Sequence, residues 1–159
     1  MSDRPGYDPV PLNDYDSLLM ITQEHFDKYW MRVRPMIDKC IKRSMHGEIT
    51  VDDVMQMAQQ HQAFIFIVKC DKGLQPDVKL VVVIEMTGYP QLRAANILAL
   101  AGSDLDVFYE RFWDKLCGWA YMNGIRVIEG LVSPAMQRVI SKYGFKPVYT
   151  QMRLDLTES

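Results

Sequence analysis

Residues 93–132 read RAANILALAGSDLDVFYERFWDKLCGWAYMNGIRVIEGLV, and the fold turns on how they divide. Arg93–Ala101 is an apolar run of strand length. Gly102 and Ser103 punctuate it. From Asp104 to about Met122, the apolar residues Leu105, Phe108, Phe112, Leu116, Trp119 and Ala120 recur at helical spacing, which predicts one long helix. Asn123-Gly124 is a stop signal. Arg126–Val132 then reads as a second strand. Strands joined through a helix by tight links form a crossover, so this pair is expected to be parallel.

Upstream, Ala63–Cys70 (AFIFIVKC) and Lys79–Thr87 (KLVVVIEMT) are rich in β-branched and aromatic residues. With Arg93–Ala101 they make three strands linked by short turns, an antiparallel meander. Gly73 and Pro76 mark the first turn, and Gly88-Tyr89-Pro90 the second. Two helices precede the meander. The first runs from Gln23 to about Ser44, capped by Thr22, with Pro35 expected to kink or split it and Gly47 to end it. The second starts at Thr50, with Asp52 and Asp53 in its first turn. Ser17–Ile21 is expected to be a short strand, and residues 1–16 an extended arm rich in proline and acid. Downstream, Ser133-Pro134 opens a short helix, with the proline at its first position. Lys146–Leu156 alternates Val148, Thr150, Met152 and Leu154 and is expected to be the last strand, followed by a tail, 157–159. A single domain over 17–156 follows, α/β in class, with a mixed, largely antiparallel sheet and helices on both faces.

The chain has 159 residues and a net charge of −2. There is no basic excess of the kind that phosphate-backbone binding needs, so nucleic acid is not an expected partner. The modest cluster Arg32, Arg34, Lys39, Lys42 and Arg43 reads first as a solvated helix face. The three cysteines, Cys40, Cys70 and Cys117, are widely spaced and include no CxxC pair. They read as free thiols in a reducing compartment, and so point to the cytoplasm. The opening Met-Ser-Asp-Arg-Pro-Gly lacks a signal-peptide core, and no apolar run is long enough to cross a bilayer. His25, His46 and His61 have no ligand-like spacing, so no metal site is expected.

The element order resembles that of the GNAT family of N-acetyltransferases over about residues 17–156. Tyr143-Gly144-Phe145 looks like the aromatic-Gly-Phe ending of that family's last helix. The Trp30 helix, Gly47-Glu48-Ile49-Thr50, Tyr89-Pro90, Leu100-Ala101-Gly102 and Trp119-Ala120 are also similar to a subgroup of GNAT-like proteins encoded by bacteriophages. The resemblance implies acetyl-CoA as cofactor and an amine as acceptor. It places the cofactor's phosphates at Leu100, Ala101, Gly102 and Ser103, where the central strand meets the long helix. The family's loop carries a basic or amide residue and a second small residue that are missing here. Asp104 and Asp106 stand there instead and would repel a pyrophosphate, so the same segment reads first as a strand-to-helix turn capped by Ser103 or Asp104.

Acyl transfer to an amine needs a base for the amine proton and a donor for the leaving thiolate. Many relatives place a tyrosine four residues before the glycine of Gly-Phe, but that position is Ile140 here. Tyr143 is the nearby candidate acid. Glu85, an acid within an apolar strand, is the candidate base; it could also face solvent or pair with Arg93. Glu129 is a second carboxylate to consider. Asn96 needs a hydrogen-bond partner in its apolar strand. Cys117 reads as a buried structural thiol. Two functions stay open. One is an acetyl-CoA-dependent N-acetyltransferase with a divergent site. The other is a non-catalytic GNAT-like phage accessory or structural protein, such as a virion component, that binds a protein partner.

Overall fold

Five strands form one sheet in a computed structural model that describes residues 15–70 and 77–157. They are β1 (Asp16–Met20), β2 (Ala63–Lys69), β3 (Val78–Gly88), β4 (Arg93–Gly102) and β5 (Ile125–Glu129). Their spatial order is their chain order. The first three pairings are antiparallel, and β4 with β5 is parallel. The meander and the crossover are therefore both present. Residues 1–14 of the expected arm, most of the Gly73/Pro76 turn and the last two residues of the tail lie outside the described residues. Tyr15 and Asp16, read with the arm, belong to the fold: Tyr15 is buried and Asp16 opens β1.

Helices cover both faces because the middle strands are apolar on both sides. In β2, Ile65 and Ile67 face one way and Phe66 and Val68 the other. In β3, Val81 and Val83 oppose Leu80, Val82 and Ile84 in the same manner. Helix α1 (Gln23–Ser44) places Val33, Ile37 and Ile41 on the first face, and α2 (Val51–Gln59) adds Val51 and Val54. On the second face lie α3 (Leu105–Arg111) and α4 (Trp113–Met122), with Phe108, Leu116 and Ala120 inward. The last helix, α5 (Pro134–Ser141), begins as read: Ser133 Oγ accepts from the Met136 amide, and Pro134 follows it.

Four expectations are corrected. Pro35 does not split α1, which is continuous from Gln23 to Ser44. Proline removes one donor, but Met31, four residues earlier, lies on the exposed side, where water can serve its carbonyl. The long helix is two helices that meet at Phe112, whose φ of −120° departs from helical values. The hydrogen bonds Phe112 N to Phe108 O and Leu116 N to Phe112 O carry the ladder across the junction, and Phe112 is buried. The strand expected at Arg126–Val132 runs instead from Ile125 to Glu129 and stops where it leaves β4. Lys146–Leu156 forms no strand. Alternation fits a half-buried strand, but a strand also needs a neighbour for its backbone groups, and this segment has none among the described residues.

Candidate active site

The site is set by where β4 loses one neighbour. Parallel pairing with β5 runs only from Arg93–Ile125 to Asn96–Glu129. From Ile97 to Gly102 the β5 side of β4 has no strand beside it among the described residues. At the same level β4 carries a bulge. Val83 pairs with Ala99 and Ile84 with Ile97, so Leu98 opposes nothing on β3. A bulge bends its strand and re-aims the side chains around it.

Three polar side chains meet at that level. The register aligns Glu85 with Asn96, and Asn96 with Glu129. Ile84, Met86, Ala95, Ile97 and Ile128 pack toward α3 and α4, so alternation turns Glu85, Asn96 and Glu129 toward the α1 side. Asn96 Nδ2 donates to Glu85 Oε2 at 3.4 Å. Tyr89, on the β3–β4 turn, donates its hydroxyl to Glu129 Oε1. That bond, ahead of burial, raises the Tyr89 phenol above its ordinary range. Arg93 is not the partner of Glu85; its guanidinium donates to the Asn123 carbonyl at 3.0 Å. Asn96 has its partner, and that partner is the candidate base. Each of these residues is visible in the sequence. Their alignment is not, because it depends on the register of three strands and on the bulge.

Tyr143 lies on the other face of the sheet. Its ring stacks on Tyr109 with centroids 4.1 Å apart, and its hydroxyl donates to Asp106 Oδ1 at 2.8 Å. The bond to Asp106 is the main reason that its phenol is raised. Tyr143, Ile140 and Phe145 line a small apolar cleft with Ile97, Leu100 and Phe108. Glu85 and Tyr143 are thus not brought together.

Leu100, Ala101, Gly102 and Ser103 close β4 against the start of β3. Leu100 packs toward α3 and α4, and Ala101 toward α1. Gly102 has φ +126°, and a Cβ there would stand 2.2 Å from the Lys79 carbonyl oxygen. Glycine is required by this close approach alone. The Ser103 amide donates to the same oxygen at 2.8 Å. Asp104 precedes α3 in left-handed conformation and makes no side-chain cap; its carboxylate accepts from the Tyr15 hydroxyl at 2.8 Å. Among the loop amides, that of Ser103 is therefore spent on β3, and two carboxylates stand at the entrance to α3. This end suits a pyrophosphate poorly. The unpaired edge of β4 suits a ligand with amide groups, since its backbone groups on that side lack a strand partner.

Cys117 is only half-buried, and burial, helped by Asp114, pushes its thiol up, which keeps it neutral and a weak nucleophile. Cys70 is the buried cysteine. No cluster of three or more His, Cys, Asp or Glu poised for a metal occurs among the described residues. Within the basic cluster of α1, Arg34 pairs with Asp52 and Lys42 with Asp38. No helix among the described residues is long and apolar enough to cross a membrane.

The architecture has clear counterparts among solved structures. A predicted acetyltransferase of Clostridium acetobutylicum, crystallised with acetyl-CoA, matches with a TM-score of 0.63 at 13% identity, over 89% of this chain and 96% of that one. A GNAT family acetyltransferase of Staphylococcus aureus matches at 0.56 and 9% identity, over 90% and 99%. The fold is that of the GNAT acetyltransferases. A third match is an aminoglycoside acetyltransferase from an uncultured soil metagenomic sample, solved with sisomicin, at 0.61 and 7% identity over 92% and 97%. No family profile and no curated protein sequence matches the chain. Identities this low carry the GNAT architecture and leave the chemistry to be argued from the residues.

Proposed function

We propose that the chain is an acetyl-CoA-dependent N-acetyltransferase whose acyl group is presented at the parting of β4 and β5. The observation that supports this reading is the coincidence of three features at one level: the end of β4–β5 pairing, the Leu98 bulge, and the row Glu85–Asn96–Glu129. Acetyl-CoA supplies an activated thioester. Its pantetheine arm carries amides that can pair with the open edge of β4 as an added strand would. Glu85 is the base in this reading and would receive the acceptor's amine proton as the new C–N bond forms; the acetyl C–S bond would break, and the CoA thiolate would leave to take its proton from solvent. Asn96 fixes the orientation of the Glu85 carboxylate. Glu129, held by Tyr89, adds negative charge beside an acceptor that arrives as a cation. Tyr143 keeps its proton and packs the far side of the cleft. Leu100 to Ser103 bear the cofactor's phosphates weakly, with one of their amides committed to Lys79.

The test is the melting temperature with saturating acetyl-CoA and with CoA. A ligand at 100 times its dissociation constant stabilises the folded state by about 2.7 kcal/mol. At roughly 2–4 °C per kcal/mol, a rise of about 5–10 °C is expected. Glu85→Gln should keep that rise and lose turnover on an amine panel. No rise at millimolar cofactor removes this reading.

One set of observations favours a second reading. The committed Ser103 amide and the carboxylates of Asp104 and Asp106 are what a scaffold that has given up its cofactor would show. In that reading the chain binds a protein partner without catalysis. A bacteriophage origin, a virion location and the resemblance of Trp119-Ala120 and its companion motifs to the phage subgroup would belong with it. Unaltered melting with cofactor, together with recovery of the chain from purified virions, would support it.

A further inference from the structure

Helix α5 lies over the stretch of β4 that β5 leaves unpaired. Ile140, in its last turn, and Tyr143, just beyond it, close the small cleft over Ile97 and Leu100 of β4 and Tyr109 of α3. Yet α5 buries none of its own residues. Helices α1 to α4 each bury apolar side chains, down to the single Phe108 of α3. A helix of eight residues is too short to be stable by itself and depends on what it packs against. An element with little buried surface belongs to the low end of local stability. α5 is therefore docked on the fold without being embedded in it.

Its ties lie at its C-terminal end. The Tyr143 hydroxyl donates to Asp106 Oδ1, in the first turn of α3, at 2.8 Å, and the Tyr143 ring stacks on Tyr109. The hydrogen bond is exposed, so water competes for both partners. The chain is fixed on either side of α5. Upstream, β5 is paired with β4, and Gly130 to Ser133 lead from it outside strand and helix. Downstream, Gly144 turns the chain at φ +93°, with open space about it. Phe145 then packs on Trp113, ring centroids 5.6 Å apart. From there the chain crosses to the other face, where Arg153 pairs with Glu48 at 2.6 Å. A helix between two anchored flanks, with an irregular joint at each end, can swing without disturbing either.

The cleft beneath α5 has room for little more than a water molecule. A pantetheine arm laid along the open edge of β4 needs far more, and it needs Ile97 and Leu100 uncovered. We infer that α5 is a hinged cover over this cleft, that the Tyr143–Asp106 hydrogen bond is its latch, and that release of the latch opens the cleft. The identity of what enters rests on the proposed activity; the latch does not. Gating of this kind lowers apparent affinity by the fraction of molecules that are open.

Hydrogen exchange of the full chain reads the latch. Amides of α5 should exchange faster than those of α4, which is held by buried Leu116 and Ala120. Tyr143→Phe keeps the ring for Tyr109 and removes the donor. It should speed α5 exchange about two- to fivefold and leave α1 and β3 unaltered. Asp106→Ala should do the same, and the two together no more than either alone, since they remove one bond. Acetyl-CoA reads the gate: its association rate, followed by tryptophan fluorescence, should rise by the same factor in Tyr143→Phe. Exchange in α5 as slow as in α4, exchange that neither variant alters, or effects that add in the double variant overturn the latch. An association rate that stays at the parent's value while exchange responds overturns the cover as a gate. Faster exchange with no association of acetyl-CoA in either form supports the latched cover and removes the proposed activity.

Discussion

The two faces of the sheet are covered by unlike materials. On the α1–α2 face, the contact is mainly aliphatic, Val33, Ile37, Ile41 and Val54 against Ile65, Ile67, Val81 and Val83, with Tyr29 buried among them and Phe26 and Trp30 at its border. On the α3–α5 face, it is aromatic: Phe108 and Phe112 inward, with Trp113, Tyr109, Tyr143 and Phe145 in one chain of ring contacts. Branched aliphatic side chains interlock to high density and leave no polar atom to satisfy. Aromatic rings leave edges and gaps, and Tyr143, like Tyr15 on the same face, carries a hydroxyl that reaches a carboxylate. The first face stores stability under α1 and keeps its polar row at the margin, beyond the helix. The second gives up some density for a cleft and two tyrosine–carboxylate bonds, Tyr15–Asp104 and Tyr143–Asp106.

The sharpest way to break this contrast is on the aliphatic face. Ile37→Ala deletes a fully buried side chain and should cost about 2–5 kcal/mol, read as a fall in the urea midpoint at constant m-value. Gly102→Ala lies between the faces, at the end of β4. The added methyl meets the Lys79 oxygen in a backbone conformation that alanine resists, so a loss of about 2–3 kcal/mol is expected. A variant as stable as the parent would show that β4 can part from β3 there. Tyr143→Phe removes one exposed hydrogen bond and should cost no more than about 1 kcal/mol. If it cost as much as Ile37→Ala, the aromatic face would be the one that stores stability.

The smallest effect concerns the segment that bridges the faces. Glu48 is held at about 2, against 4.5 for the free side chain, by its own amide first, then by Arg153 and the His46 amide. A lowered folded value means that the contribution is present above about 4.5 and is lost as pH falls toward 2. The Glu48 carboxyl carbon, followed by NMR, should titrate near 2; a midpoint near 4.5 would mean that Arg153 is not held.

Much of this was legible in the chain. Continuous apolar runs rich in β-branched and aromatic residues gave the meander, and Ser103 to Asn123 gave the crossover, because each element carries its own composition and punctuation. Thr22, Thr50 and Ser133 cap as read, although at Thr22 it is His25, through Nδ1, that completes the box. What was not legible depends on partners. Phe112 divides the long helix with no glycine or proline to announce it, at a residue buried in the core. Leu98 bulges because β3 and β4 have unequal lengths between paired residues. Lys146–Leu156 has a strand's pattern but pairs with no strand among the described residues. The Glu85–Asn96–Glu129 row needed three registers at once, whereas each residue alone read only as a polar exception in an apolar strand.

The strand order has a consequence for how the chain comes to be folded. Because β1 to β5 lie side by side in the order in which they are connected, no strand has to be threaded between two that are already joined. The meander can form first from near-neighbour segments. The crossover through α3 and α4 then adds β5 at one margin, and the helical hairpin of α1 and α2 brings β1 to the other. Each step closes a loop onto an existing template, so the search is kept local for a sheet of this size.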